Sequence, residues 1–208
     1  MQLVFDMQSY WLAGTGSDAG AYADNLANKD HHGLPFLPAK TQKGQIREAF
    51  KLAEDNGWFT DFTQQFDSKL TQILFGVESR DGRNGQGVLQ FCNAELSDNE
   101  KGFFLQGDST EKKQRINCLF TLLHSTAIDE LGKAKPYSLR SYEVAVPMTL
   151  HGKLDASTQH LEPAVRQAVT QHLPTWLEQV LPLVTHIGAK KQRGLGEVNI
   201  RLVQTQGE

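Results

Sequence analysis

Cysteine is scarce in this chain. Cys92 and Cys118 are its only two in 208 residues. Two thiols cannot build a disulfide framework or a four-thiolate zinc site. Long apolar runs are missing too. None approaches the roughly 18 residues a membrane-spanning helix needs, so membrane insertion is not expected. The opening MQLVFDMQSYW has no basic stretch and no long apolar run. No secretory leader is therefore expected, and a reducing cytoplasm is the expected setting. Charge of one sign is not in excess either: 21 basic side chains face 24 acidic ones, a formal −3. Bulk charge thus gives no reason to expect nucleic acid, although it says nothing about a local patch. Internal repeats and low-complexity tracts are absent. With 39% hydrophobic, 22% charged and 9% aromatic residues, the composition excludes a disordered, collagen-like or coiled-coil chain.

What is present suits a single domain over residues 1–208. Leu3, Phe5 and Met7 alternate, so residues 2–7 predict a strand. Residues 11–33 are rich in Gly, Asp, Asn and Ala without a sustained period, which predicts a long loop; such loops are often functional. From Thr41, the stripe Ile46, Ala49, Phe50 and Ala53 predicts a helix that stops near Gly57. Residues 87–92 and 139–146 predict strands. Residues 161–181 predict a second long helix, with Pro174 as a kink or a break. Val198, Ile200 and Leu202 predict a last strand. The expected fold class is α+β, with a ferredoxin-like β-α-β-β-α-β order. Residues 77–115, glycine-rich and then charged, are expected to be an insertion or an exposed hairpin.

Two segments carry the chemistry. The first runs from Gly33-Leu-Pro-Phe-Leu-Pro into a helix start bearing Lys40, Lys43, Gly44 and Arg47. Helix N-termini present free N–H groups and partial positive charge, which suits phosphate. Lys43 and Arg47 share a face. On its own the segment also fits a solvated basic turn. The second is Gly188-Ala-Lys-Lys-Gln-Arg-Gly-Leu-Gly196, before the last strand. Gly194 and Gly196 allow close backbone approach to a phosphate, and Lys190, Lys191 and Arg193 supply charge. No Gly-Lys-Ser/Thr and no helix follow, so it is neither a Walker loop nor a dinucleotide fingerprint. A plain basic turn is the other reading.

Together, these segments resemble the RAMP superfamily of CRISPR-associated proteins. The order "GLPFLPxxTxKGxxRxA" and then "IGxKKxRGLGxV" is similar to that family. So are Ile73-Leu-Phe-Gly76, Thr126-Ala-Ile-Asp129, Ala134-Lys135 and Leu139-Arg-Ser-Tyr-Glu143 between them. The likeness runs from about residue 10 to 203. It departs at Ala39-Lys40-Thr41-Gln42, where the family usually has Gly-Ser-Ser/Thr. Within the family, the chain most resembles the repeated backbone subunit of type III effector complexes of antiviral defence.

That resemblance implies a modified RNA-recognition-motif core with an extended thumb-like hairpin, placed at 77–115. It implies guide (CRISPR) RNA and target RNA as partners, gripped by Lys40, Lys43, Arg47, Lys190, Lys191, Arg193, Gly194 and Gly196. Other effector subunits, including copies or relatives of the chain, are implied as well. It further implies that a loop aspartate cuts target RNA with a divalent metal, most simply Mg. Asp24 occupies the matching place, with Asp30 and Asp18 as weaker candidates. An Asx-turn is the ordinary role of a loop aspartate. Two alternatives stand beside this: a metal-independent endoribonuclease that processes guide RNA with a histidine acid–base, and a backbone subunit that holds RNA without cutting. The pair His31-His32 is expected at the surface. His124 near Cys118 lacks the second half of a zinc site.

Overall fold

The computed structural model describes residues 1–14, 23–77 and 85–203. Strand β1 (Gln2–Met7) runs into a loop and then helix α1 (Ala39–Asp55). Two short helices follow, α2 (Thr60–Phe66) and α3 (Leu70–Phe75), before strand β2 (Leu89–Glu95). Next come helices α4 (Asp98–Leu105) and α5 (Ser109–Asn117), then strands β3 (Phe120–Ser125), β4 (Arg140–Ala145) and β5 (Thr149–Ala156). Helix α6 (Pro163–Val180) and strand β6 (Val198–Val203) close the chain. No helix among the described residues is long and apolar enough to cross a membrane.

The central sheet has the order β2-β5-β1-β6 and is antiparallel throughout. With α1 between β1 and β2 and α6 between β5 and β6, this is the ferredoxin-like arrangement expected from the sequence. β1 lies inside the sheet, so its period-two residues meet apolar partners on both sides. Phe5 is paired with Leu150 and Ile200, and all three are buried. The helices cover this face. α1 buries Ile46, Ala49, Phe50 and Ala53, and α6 buries Val169, Leu173, Leu177 and Val180. Fully burying a Phe, Ile or Leu is worth about 1.5–3 kcal/mol, so this layer holds the helices in place. Pro174 sits within α6 without ending it.

Two expectations change. The third strand of the core is Thr149–Ala156, not 139–146; residues 140–145 instead pair with β3 in a separate two-stranded sheet. Physically, Tyr142, Glu143, Val144 and Ala145 are all buried because the loop carrying Trp11 and Asn25 lies against this hairpin. The span 77–115 is not one inserted hairpin. β2 is an edge strand of the central sheet, and the segment after it is helical. A Ser97–Glu100 capping box starts α4, and the Asp108 carboxylate caps α5. Residues 78–84, also in that span, lie outside the described residues, as does Asp18. The exposed part of the β3–β4 hairpin is the loop that joins its strands, residues 126–139. Leu131 is 81% exposed and Tyr137 100% exposed at its tip.

Candidate functional site

The start of α1 is built by the sheet edge beside it. Pro38 precedes the helix and supplies no side-chain cap. Asn93 of β2 takes that role: its Oδ1 accepts the Ala39 N–H at 2.9 Å. A bulge between Phe91 and Ala94 turns this stretch of β2 toward the helix. The buried Gln42 side chain donates from Nε2 to the carbonyls of Leu37 at 2.8 Å and Cys92 at 3.0 Å. The first turn is thus fixed to the edge strand.

This turn carries no acidic residue. Lys40 and Lys43 stand near the positive end of the helix dipole, a placement that costs about 0.3–1 kcal/mol per charge and that a bound anion would reverse. Among the described residues, no carboxylate pairs with Lys40, Lys43 or Arg47. These three and Gly44 line one wall of an open cleft of about 550 Å³. Gly76, Gly85 and Gly87 line the facing wall. At Gly87 a Cβ would lie 2.4 Å from the Phe75 carbonyl carbon, so only glycine permits this crossing of chains. Gly44 is different: a Cβ there meets nothing within 4 Å. Its bareness leaves helix backbone open to the cleft.

The second basic segment is folded onto residues 10–13. The Ala189 N–H donates to the Leu12 carbonyl at 2.7 Å, and the Gly196 N–H to the Tyr10 carbonyl at 2.8 Å. Gly196, at φ +77°, has its Cβ position only 2.0 Å from the Ile187 carbonyl oxygen. Between these anchors Lys190 adopts φ +59°, an uncommon conformation for a side-chain-bearing residue. A 3₁₀ turn, Lys191–Arg193, follows, and Gly194 ends it at φ +76°.

Each cation of this loop has a partner. The Lys191 ammonium donates to the Gln45 side-chain Oε1 on α1. The Lys190 ammonium lies 4.8 Å from the centre of the Tyr142 ring. Arg193 donates from Nη1 to the Ser125 hydroxyl at 3.3 Å. Tyr142 is buried, and its phenol is held below the ordinary tyrosine range. A hydrogen bond with Ser125 is the main cause, and the positive charge of Lys190 adds to it. The fold therefore brings the two basic segments, from opposite ends of the chain, to the same helix: Lys191 reaches Gln45 on one flank of α1, while Lys40, Lys43 and Arg47 line a separate cleft. Gln45, Ser125 and Tyr142 were not singled out by the sequence; only the motif Leu139-Arg-Ser-Tyr-Glu143 drew attention to the last.

Asp24 is placed differently. Its Oδ2 accepts the Ser141 N–H at 2.7 Å, and its own N–H donates to the Ser141 carbonyl at 2.9 Å. Its Oδ1 lies 3.8 Å from the Arg140 guanidinium. The carboxylate thus pins the loop to β4. A divalent cation there would face Arg140, and no group of three metal-ligating side chains occurs among the described residues. Among the described residues, Asp24 is held by Ser141 and faced by Arg140 rather than grouped with metal-ligating side chains. Asp30 makes an Asx-turn, its Oδ1 accepting the His32 and Leu34 N–H groups at 2.8 Å each. His31 and His32 are exposed, and His124 bonds Ser141.

Comparisons with known proteins agree with this fold. The RAMP superfamily matches residues 7–199. No curated protein matches the sequence. Among solved structures, a chain of the type III-B Cmr-beta complex in its apo state superposes with a TM-score of 0.64 at 13% identity, over 98% of this chain and 96% of that one. A chain of the same complex bound to cognate target RNA gives 0.64 at 11% identity, over 96% and 95%. A type IV-B CRISPR complex contributes a chain at 0.55 and 14% identity, over 100% and 91%. At such identities the likeness is one of fold.

Proposed function

The chain belongs to the RAMP superfamily, and from that membership we propose that it is a guide-RNA-binding backbone subunit of a type III-like CRISPR effector complex in antiviral defence. The observation that carries this is the meeting of two cationic segments through Lys191 and Gln45. Lys40, Lys43 and Arg47 give a phosphate backbone charge and open helix N–H groups. Lys190, Lys191 and Arg193 give a second cationic surface, joined to the same helix through Gln45, with Gly194 and Gly196 setting its turn. Such contacts grip RNA without reading its sequence. The partners are guide RNA, target RNA and neighbouring effector subunits, copies of this chain among them. The exposed loop of the β3–β4 hairpin fits the role of the thumb better than the helical segment after β2.

The holding role is favoured over the cutting role by the state of Asp24. Its carboxylate is engaged by Ser141 and faced by Arg140, so no cleavage step is assigned to it. The test of the main reading is RNA binding at moderate salt by the Lys43→Ala/Arg193→Ala variant. Clear weakening is expected, and an affinity equal to the parent's would overturn the assignment.

A further inference from the structure

The glycine-rich loop holds three cations in a backbone that does not favour them. Lys190 sits at φ +59°, and glycines at positive φ stand on either side, Gly188 and Gly194. A loop of this kind does not by itself fix where long side chains point. Contacts outside it must do so, and two of the three come from one place.

We propose that Tyr142 and Ser125, on adjacent strands of the β3–β4 hairpin, are positioning residues that set Lys190 and Arg193 for RNA. The inference rests on the RNA-binding reading above and deepens it. Tyr142 offers its ring to the Lys190 ammonium, 4.8 Å from the centroid. Ser125 accepts from Arg193 Nη1 at 3.3 Å. The Ser125 hydroxyl also holds the Tyr142 phenol below the ordinary tyrosine range, which couples the two contacts. The strand register explains why they converge. Ser125 pairs with Arg140 and Leu123 with Tyr142, two residues apart on each strand, so Ser125 and Tyr142 project from the same face. Tyr142 is 7% exposed and packs with Leu12 and Leu195, which flank the loop's own anchors. The platform is therefore packed in place, and the loop cations are set against it.

This arrangement gives Lys190 and Arg193 a role distinct from that of Lys43. The α1 cation is aimed by its helix; the loop cations are aimed by a hydroxyl and a ring on another element. Removing the phenol oxygen leaves every charge in place but releases Arg193 through Ser125. Affinity then falls although the net charge does not change.

The test uses the full chain and a single-stranded RNA oligonucleotide. Binding is measured across a salt series for the parent, Tyr142→Phe, Ser125→Ala, Arg193→Ala and the double variant Tyr142→Phe/Arg193→Ala. Tyr142→Phe is expected to weaken binding about threefold to tenfold, the range of one lost polar contact between neutral groups. Arg193→Ala is expected to have a smaller effect in the Tyr142→Phe background than in the parent, because the two share a network. Phenol absorbance supplies a readout that needs no RNA. The Tyr142 titration, identified by its loss in Tyr142→Phe, is expected to move up toward the ordinary range in Ser125→Ala and in Lys190→Ala. Parent-like binding by Tyr142→Phe, with an undiminished Arg193→Ala effect, overturns the proposal while leaving the RNA reading intact. Absence of RNA binding by the parent overturns the RNA reading and this proposal with it.

Discussion

The two cationic segments solve the same problem by opposite means. At the start of α1, the backbone does the aiming. The helix is capped by Asn93 and tied down by Gln42, and its Lys40, Lys43 and Arg47 make no ion pair among the described residues. In the loop at 188–196, the backbone is held by glycines against residues 10–13, and every cation needs a side-chain partner elsewhere. A regular element can present charge without further help. An irregular one must borrow rigidity, here from Gln45, Ser125 and Tyr142.

The strongest way to break this contrast is through its glycines. Gly196→Ala would place a Cβ 2.0 Å from the Ile187 carbonyl oxygen at a positive φ. Loss of more than about 3 kcal/mol of stability is expected, on the scale of clashing buried substitutions, and urea unfolding would measure it. Next in size is the Lys43→Ala/Arg193→Ala variant, which removes one cation from each segment. Its RNA affinity should fall at least about tenfold near physiological salt. The slope of log affinity against log salt should drop by about 1.4, as expected for two lost phosphate contacts to a single strand. A slope equal to the parent's would show that neither cation touches phosphate.

A smaller effect is expected at Asp24. Asp24→Ala removes an acceptor for the Ser141 N–H and should lower stability by about 1 kcal/mol, because the site is partly exposed. RNA binding by the folded variant should be unchanged. If Asp24→Ala instead abolished an EDTA-sensitive cleavage at unchanged stability, the holding role would be wrong. The smallest change, Gly44→Ala, has the opposite sign to Gly196→Ala. Nothing lies within 4 Å of its Cβ position, so the helix should gain about 0.5–1 kcal/mol. Any accompanying loss of RNA affinity would mark the bare backbone as part of the cleft.

Much of the core was legible in the sequence because its periods are clean. The alternation at Leu3, Phe5 and Met7 and the stripe of α1 describe elements with one buried face each. The third core strand was not found. In Thr149–Ala156 the buried positions are Leu150, Gly152 and Leu154, and the glycine blanks the middle of the pattern. Residues 140–145 drew the assignment instead. They are buried on both faces, which reads as a central strand although the central sheet does not contain them. The site divides in the same way. Its cations stood out as local clusters. Their partners did not, since Gln45 lies 146 residues from Lys191 and Ser125 lies 68 from Arg193. Only the fold brings such pairs within bonding distance.

The cap supplied by Asn93 bears on the order of events during folding. Ala39 donates to a side chain 54 residues further along the chain. Synthesis or collapse can start α1, but its first turn stays frayed until β2 docks with its bulge in register. An early helix would therefore carry Lys40 and Lys43 on an end that is still fluctuating. The first turn is capped only when the sheet edge is in register, so a misregistered chain would carry Lys40 and Lys43 on an uncapped helix end.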